Sequence, residues 1–435
     1  FFSLSMVEAA LTALLSLGLL LSLAQHLWTL RWTLSRDRTC SLPLPKGSMG
    51  WPFFGETLHW LVQVSSLLFS RAALESYMPR IQTTLRRELW AWCGVPGPVS
   101  VYSATKALTF RIAARILLGL RLDEGECNEL AKTFEQLVEN LFSLPLDVPF
   151  SGLRKGIRAR DLLHEHMEKA ILEKLQREQP GGQKDALDFI INSAKEQGWE
   201  LTMQELKESA IELIFAAFFT TASASTSLLL LLLKYPASIE KIRQELRSSP
   251  GLEASSWPEC ECDVDLSLEK LSRLQYLDCV IKEVLRLLPP VSGGYRTALQ
   301  TFELDGYQIP KGWSVMYSIR DTHETAAVYQ SPPEGFDPER FGPAWEEHRG
   351  AGRFHYIPFG GGVRSCIGKE LAQAILKLFA VELVRTVRWE LATASFPDMQ
   401  TVPIVHPVDG LQVFFYPLPP SCGQEPETAH LLSVF

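Results

Sequence analysis

Phe359-Gly360-Gly361-Gly362-Val363-Arg364-Ser365-Cys366-Ile367-Gly368 is the stretch on which the reading of this 435-residue chain turns. Consecutive glycines give a turn that side chains would obstruct, and an apolar helical pattern begins after Cys366 and runs to about Trp389. The cysteine is therefore delivered to the first turn of a helix. Unpaired backbone N–H groups and the positive end of the helix dipole stabilise a thiolate there, while the glycines let a flat ligand approach the backbone. A sulfur so placed is a nucleophile or a metal ligand. The stretch holds no His or Asn to activate a nucleophile, and a single axial thiolate is what a haem iron needs to favour O–O cleavage. A phosphate-binding loop is excluded, because no Gly-Lys-Ser/Thr follows the glycines.

Outward from this turn, Phe336-Asp337-Pro338-Glu339-Arg340-Phe341 precedes it, and Glu283-Val284-Leu285-Arg286 places a carboxylate and a guanidinium on one helical face. A helix through Leu268 to Leu288 ends at Pro289-Pro290. The period then changes to β over Thr297–Leu304, Tyr307–Ile309 and Trp313–Ile319, punctuated by Asp305-Gly306 and Pro310-Lys311-Gly312 turns. Further back, Thr202 and Glu205 form a capping box ahead of Leu213–Leu233, a run of 21 residues without a charge. Length alone would make it a membrane span. Thr220, Thr221, Ser223, Ser225, Thr226 and Ser227 lie in mid-run and favour a helix buried in a protein core. From Ser70 to about Gly198 the pattern is mostly helical, with Leu163, Met167, Ile171 and Leu175 spaced by four. The expected fold is mainly α with minor β.

Composition sets the outer bounds. With 46% hydrophobic residues the chain can bury a sizeable core, and a net charge of -8 from 42 Lys+Arg and 50 Asp+Glu argues against a general nucleic-acid binder. Eight scattered cysteines fit a reducing compartment better than a disulfide scaffold, and Cys260-x-Cys262 reads as a solvated loop rather than a zinc site. Ala9–Leu30 carries no Asp, Glu, Lys or Arg, and is followed by Arg31, Arg36 and Arg38. This predicts a membrane anchor over residues 1–38 with everything downstream in the cytoplasm. A cleaved signal peptide is the competing reading, but no small-residue cleavage site follows. A Pro-rich hinge over 39–52, a body over 53–417 and a disordered tail over 418–435 complete the plan.

Phe359, Gly362, Arg364, Cys366 and Gly368 fill every fixed position of F-x-x-G-x-R-x-C-x-G, and the chain resembles the cytochrome P-450 superfamily. The resemblance implies haem b held by the Cys366 thiolate, O2 as co-substrate, and Arg364 and Arg296 as partners of the haem propionates. Glu283, Arg286 and Arg340 would form a structural cluster under the haem. Ala216-Ala217-Phe218-Phe219-Thr220-Thr221 partly matches the oxygen-activating A/G-G-x-D/E-T-T, which makes Thr220 the catalytic candidate. Phe219 replaces the acidic partner and Ala217 the glycine, so protons would travel through water, Thr221 or the substrate.

Leu42–Leu61, Phe142–Arg160, Phe218–Leu228, Pro289–Tyr329 and Gln400–Gly410 resemble the retinoic-acid-hydroxylating family 26, most of all its C subfamily. That implies all-trans or 9-cis retinoic acid as substrate, the endoplasmic-reticulum membrane, and NADPH-cytochrome reductase as electron donor. The pocket would be lined by Phe218, Phe219, Val291, Ser292 and Val405, with Arg353, Lys369 and Lys377 near the reductase. Another hydrophobic acid or a sterol is the runner-up substrate. One element departs from the pattern. Only Val64 to Leu68 separate the Trp60 region from Phe69, leaving no room for the first strands of the main sheet and a W-x-x-x-R helix. Trp32–Arg36 and Trp345–Arg349 match that motif in the wrong places. The fold is thus expected to be incomplete there, and a non-catalytic or weakly haem-binding product is the alternative.

Overall fold

In the computed structural model the described residues are 71–418, except 121, 142, 145, 177–184, 197–200, 251, 253–265, 326–328, 330–331, 344–353 and 402, together with isolated positions between 16 and 27. The chain divides into units of residues 1–67 and 68–435. In the first, Ser16, Leu20, Leu23 and Leu27 are helical and exposed. The hinge, the Val64–Leu68 junction, Trp32–Arg36, Trp345–Arg349, Arg353, Cys260, Cys262 and the tail after Leu418 lie outside the described residues, as does most of the anchor.

The second unit opens with α1 (Arg71–Cys93), β1 (Val99–Ser100), α2 (Val101–Ile116), α3 (Glu124–Glu139), α4 (Gly152–Gln176) and α5 (Ala186–Glu196). Its longest helix, α6 (Met203–Lys234), starts at the anticipated capping box: the Thr202 hydroxyl accepts from the Glu205 N–H, and Glu205 Oε2 accepts from the Thr202 N–H at 2.8 Å. Of its most apolar 18-residue window 78% is buried inside the protein, so it is a core helix. The hydroxyls explain how it packs. Thr105 and Thr109 of α2 donate to the carbonyls of Ala222 and Phe218, and the Thr105 and Thr226 hydroxyls lie 2.9 Å apart. Small side chains let the two backbones approach, and the surplus carbonyl lone pairs take up the hydroxyl protons.

Beyond it come α7 (Pro236–Ser248), a short helical turn at Leu268–Ser272, and α8 (Gln275–Leu287). The predicted helix from Leu268 is broken at Arg273-Leu274, where new N–H groups of the second segment are taken by the Glu245 carboxylate, at 2.6 Å from Tyr276 N and 3.0 Å from Leu277 N. The β region holds β2 (Gly293–Thr297), β3 (Phe302–Leu304), β4 (Tyr307–Ile309) and β5 (Ser314–Ser318). The β3–β4 hairpin turns through Asp305 at φ 50° and Gly306 at φ 78°, the double left-handed geometry of a tight hairpin. The strand expected over Thr297–Leu304 is interrupted, with β2 ending at Thr297 and β3 beginning at Phe302, and β2 pairs with β5, with Tyr295 opposite Met316. The hairpin is thus an excursion between two paired strands.

After α9 (Ile319–Thr325) and the cysteine turn, α10 (Lys369–Thr386) ends earlier than expected. Val387, Arg388, Trp389 and Glu390 alternate buried and exposed, a period of two that belongs to β6 (Val387–Leu391). β7 (Met399–Gln400) pairs with β8 (His406–Pro407), and β9 (Gln412–Pro417) lies between β1 and β6 in an antiparallel sheet. Glu382 of α10 accepts from Gln82 at 2.7 Å and Arg86 at 2.9 Å of α1.

Candidate active site

The glycine-rich turn closes on itself through backbone bonds. Gly360 N donates to Ile357 O at 2.9 Å, Ser365 N to Gly362 O at 3.1 Å, and Cys366 N to Phe359 O at 2.9 Å. Gly360 and Gly362 take φ of 68° and 69°, which a side chain would strain. Nothing lies within 4 Å of where a Gly362 Cβ would stand, so the turn offers open space on that side. A cavity of about 470 Å³ runs along it, lined by Phe354, Tyr356, Ile357, Gly360, Gly361, Gly362 and Ser365. Gly368 caps α10, and its N–H donates to the Cys366 sulfur. Among the described cysteines Cys366 is the exposed one. Its surroundings nevertheless withdraw enough water to push the thiol up, with the Gly368 N–H pulling the other way. Cys279 points elsewhere: burial pushes its thiol up to about 11, and it lies 3.2 Å from Phe341 O.

Glu283 and Arg286 on α8 are fully buried. Glu283 accepts from Arg286 Nε at 2.7 Å and Nη2 at 2.8 Å, from Arg340 Nε at 3.1 Å, and from the Asp337 N–H at 2.9 Å. Arg340 sits in a 3-10 turn, Pro338–Phe341, which Asp337 caps by accepting from Glu339 N. Spare guanidinium protons go to Gly335 O and Pro332 O, so the charges are paired and their donors used. The Tyr329 ring lies under both arginines, 5.3 Å from Arg286 and 5.6 Å from Arg340. These three residues come together as one cluster.

The remaining site residues fall in different settings. Thr220 is partly exposed and donates to Ala216 O at 2.7 Å, with Ala216 exposed on the same helix face. Phe218 is not on that face: it is fully buried in the core, edge-to-face with Phe110 at 5.5 Å and Phe134 at 6.4 Å. Phe219 is nearly buried against it at 4.2 Å. A helix that must bury a stripe against α2 and α3 uses both rings for that purpose. Val405 is buried, its N–H donating to Pro290 O at 3.0 Å and its carbonyl accepting from Ser223. Ser292 donates to Thr401 O at 3.2 Å, and Val291 is partly exposed. Arg296 on β2 donates to Tyr317 Oη at 3.3 Å and lies over that ring, while Arg364 is exposed. Lys377 is committed to Asp278 at 2.8 Å rather than open for docking; Lys369 is exposed.

Sequence reasoning missed the groups that join the cluster to the cysteine turn. Tyr329 Oη donates to His355 O at 3.2 Å, Tyr356 Oη to Lys282 O at 3.1 Å, and buried His323 lies between Arg286 O and Ile357 N. They belong to no short motif, and their partners are carbonyls and amides set by tertiary placement.

Comparison with known proteins supplies the family. The cytochrome P450 family description matches residues 63–414. The chain is 62% identical over 506 residues to cytochrome P450 26C1 of Homo sapiens, covering 96% of this chain and 97% of that protein. It is 49% identical over 496 residues to cytochrome P450 26B1 of Danio rerio, covering 96% of each. Both alignments exceed the chain's 435 residues, so each relative carries residues with no counterpart here. The structure of retinoic acid bound cyanobacterial CYP120A1 superposes with a TM-score of 0.72 at 33% identity, over 84% of this chain and 79% of that one. With a family match over most of its length and relatives this similar, this chain belongs to the cytochrome P450 family of haem-thiolate monooxygenases.

Proposed function

We propose that the chain hydroxylates retinoic acid at a ring carbon, with the Cys366 thiolate as axial ligand of haem b, O2 as co-substrate, and electrons from NADPH through NADPH-cytochrome reductase. The carrying observation is Cys366: exposed, at the mouth of a glycine turn, with a peptide N–H on its sulfur and a helix N-terminus behind it. The residues suit haem, since the open side of Gly362 admits a flat macrocycle and Arg296 and Arg364 carry charge for two propionates. Bound there, the haem would supply the activation of O2 that side chains cannot. Thr220 presents an oxygen lone pair toward its open face, because its proton lies on Ala216 O. So held it can accept from a water; to donate, its O–H must rotate about the Cβ–Oγ1 bond and leave Ala216 O. Val405, held by Ser223 and Pro290, offers an apolar wall of fixed position.

Retinoic acid as substrate rests on the family-26 likeness and on the retinoic acid bound to the cyanobacterial relative. Anchorage by residues 1–38 in the endoplasmic-reticulum membrane, with the body cytoplasmic, rests on the charge asymmetry around Ala9–Leu30. Cys366→Ser should abolish the thiolate-type carbon monoxide difference band while Cys279→Ser retains it; retention in Cys366→Ser would end the assignment. A second reading, weak haem retention, is favoured by the residues the relatives have in excess. It is also favoured by apolar side chains left open on the β region, Tyr295 at 69% and Trp313 at 60% exposure. The haem-to-protein ratio of the purified full chain separates the two.

A further inference from the structure

We propose that His323 is a positioning residue for the Cys366 turn: as a neutral imidazole in one tautomer, it fixes the entrance of that turn to the buried Glu283–Arg286 cluster. His323 is fully buried on α9. Its Nδ1 lies 3.1 Å from Arg286 O, and a carbonyl can only accept, so Nδ1 carries the proton. The Ile357 N–H reaches Nε2 at 2.9 Å, so Nε2 must offer a lone pair. Both ring nitrogens are thus committed, and Tyr356 stacks on the ring at 5.4 Å. Beyond Ile357 the connection is short, for Ile357 O accepts from Gly360 N, and Phe359 O accepts from Cys366 N. Facing the ring are Arg286 from α8, Glu324 from its own helix and Tyr356 from the turn; burial keeps Tyr356 protonated and pushes His323 down to about 4. A second ring proton would point a donor at the Ile357 N–H and release the turn.

The test uses the full chain in membranes. In His323→Phe, which keeps the ring but no acceptor, amide exchange at Ile357 should quicken about tenfold, and the thiolate-type carbon monoxide band should lose ground to the thiol-type band. His323→Gln, whose carbonyl reaches toward the Nε2 position, should restore both in part. Equal behaviour of the Phe and Gln variants, or no change in either, would overturn the proposal. Should His323→Phe fail to fold, nitrogen-15 spectra of histidine in the parent chain decide. A neutral Nδ1–H tautomer persisting to about pH 5 supports the proposal, and an Nε2–H tautomer or a cation there refutes it. The band readout rests on the haem-thiolate reading. A parent chain without that band would sink the haem-thiolate reading, while exchange and tautomer still decide the role of His323.

Discussion

Glu283 is fully buried with two guanidinium groups and a peptide N–H on its oxygens, and no single member can leave without stranding a charge. Arg286→Met should therefore cost about 3–5 kcal/mol of stability, read as a lowered denaturant midpoint, whereas an exposed pair such as Arg320–Glu324 should cost about 0–1 kcal/mol. His323 adds a pH dependence. Its unfolded form takes a proton near 6.5, the folded form near 4, so below pH 6.5 the unfolded chain binds more protons. Its contribution is complete above pH 6.5 and is lost as the pH falls toward 4, roughly 3 kcal/mol in all. Acid unfolding of His323→Gln should lack that part of the slope. Glu283, Arg286, Arg340 and Cys366 were legible because each lies in a short motif; His323 and Tyr329 were not, because their partners are backbone groups distant in sequence.

Among the elements, α6 shows how local chemistry and tertiary packing divide the task. Its start is local: Thr202→Ala removes a side-chain acceptor from the Glu205 N–H and should cost about 1 kcal/mol, measurable as a fall in Tm with Thr202→Ser restoring most of it. The rest depends on neighbours, which is why Phe218, a pocket candidate from its place beside Thr220, turned out to face Phe110 and Phe134. The β region shows the same limit. The Asp305-Gly306 turn was readable from two residues, but the pairing of β2 with β5 around the hairpin is a contact between strands with no turn of their own. At β6 the alternation was present in Val387–Leu391, and the adjoining helical run obscured it.

For the whole molecule, docking of a reductase is a matter of charge on the outside, and the ion pairs decide which lysines are available. Lys369→Glu should slow first-electron reduction and flatten its salt dependence, because an exposed cation steers an acidic partner. Lys377→Glu should instead lower stability. Despite burial, Lys377 and Lys282 hold the Asp278 carboxyl below its ordinary range, and reversal sets two carboxylates together. Stopped-flow reduction and thermal unfolding of the two variants distinguish these outcomes.

Gln82 on α1 waits for Glu382, 300 residues later, and Val99 for its strand partner Val413. A ribosome adding roughly 5–20 residues per second needs about 15–60 s to cover 300 residues. For that interval the nascent α1 holds Leu85 and Leu89, which end fully buried, without α10. A message that stops short of Lys369 would therefore cost the beginning of the protein as well as its end, and until α10 is made the uncovered helix is a natural client for a chaperone.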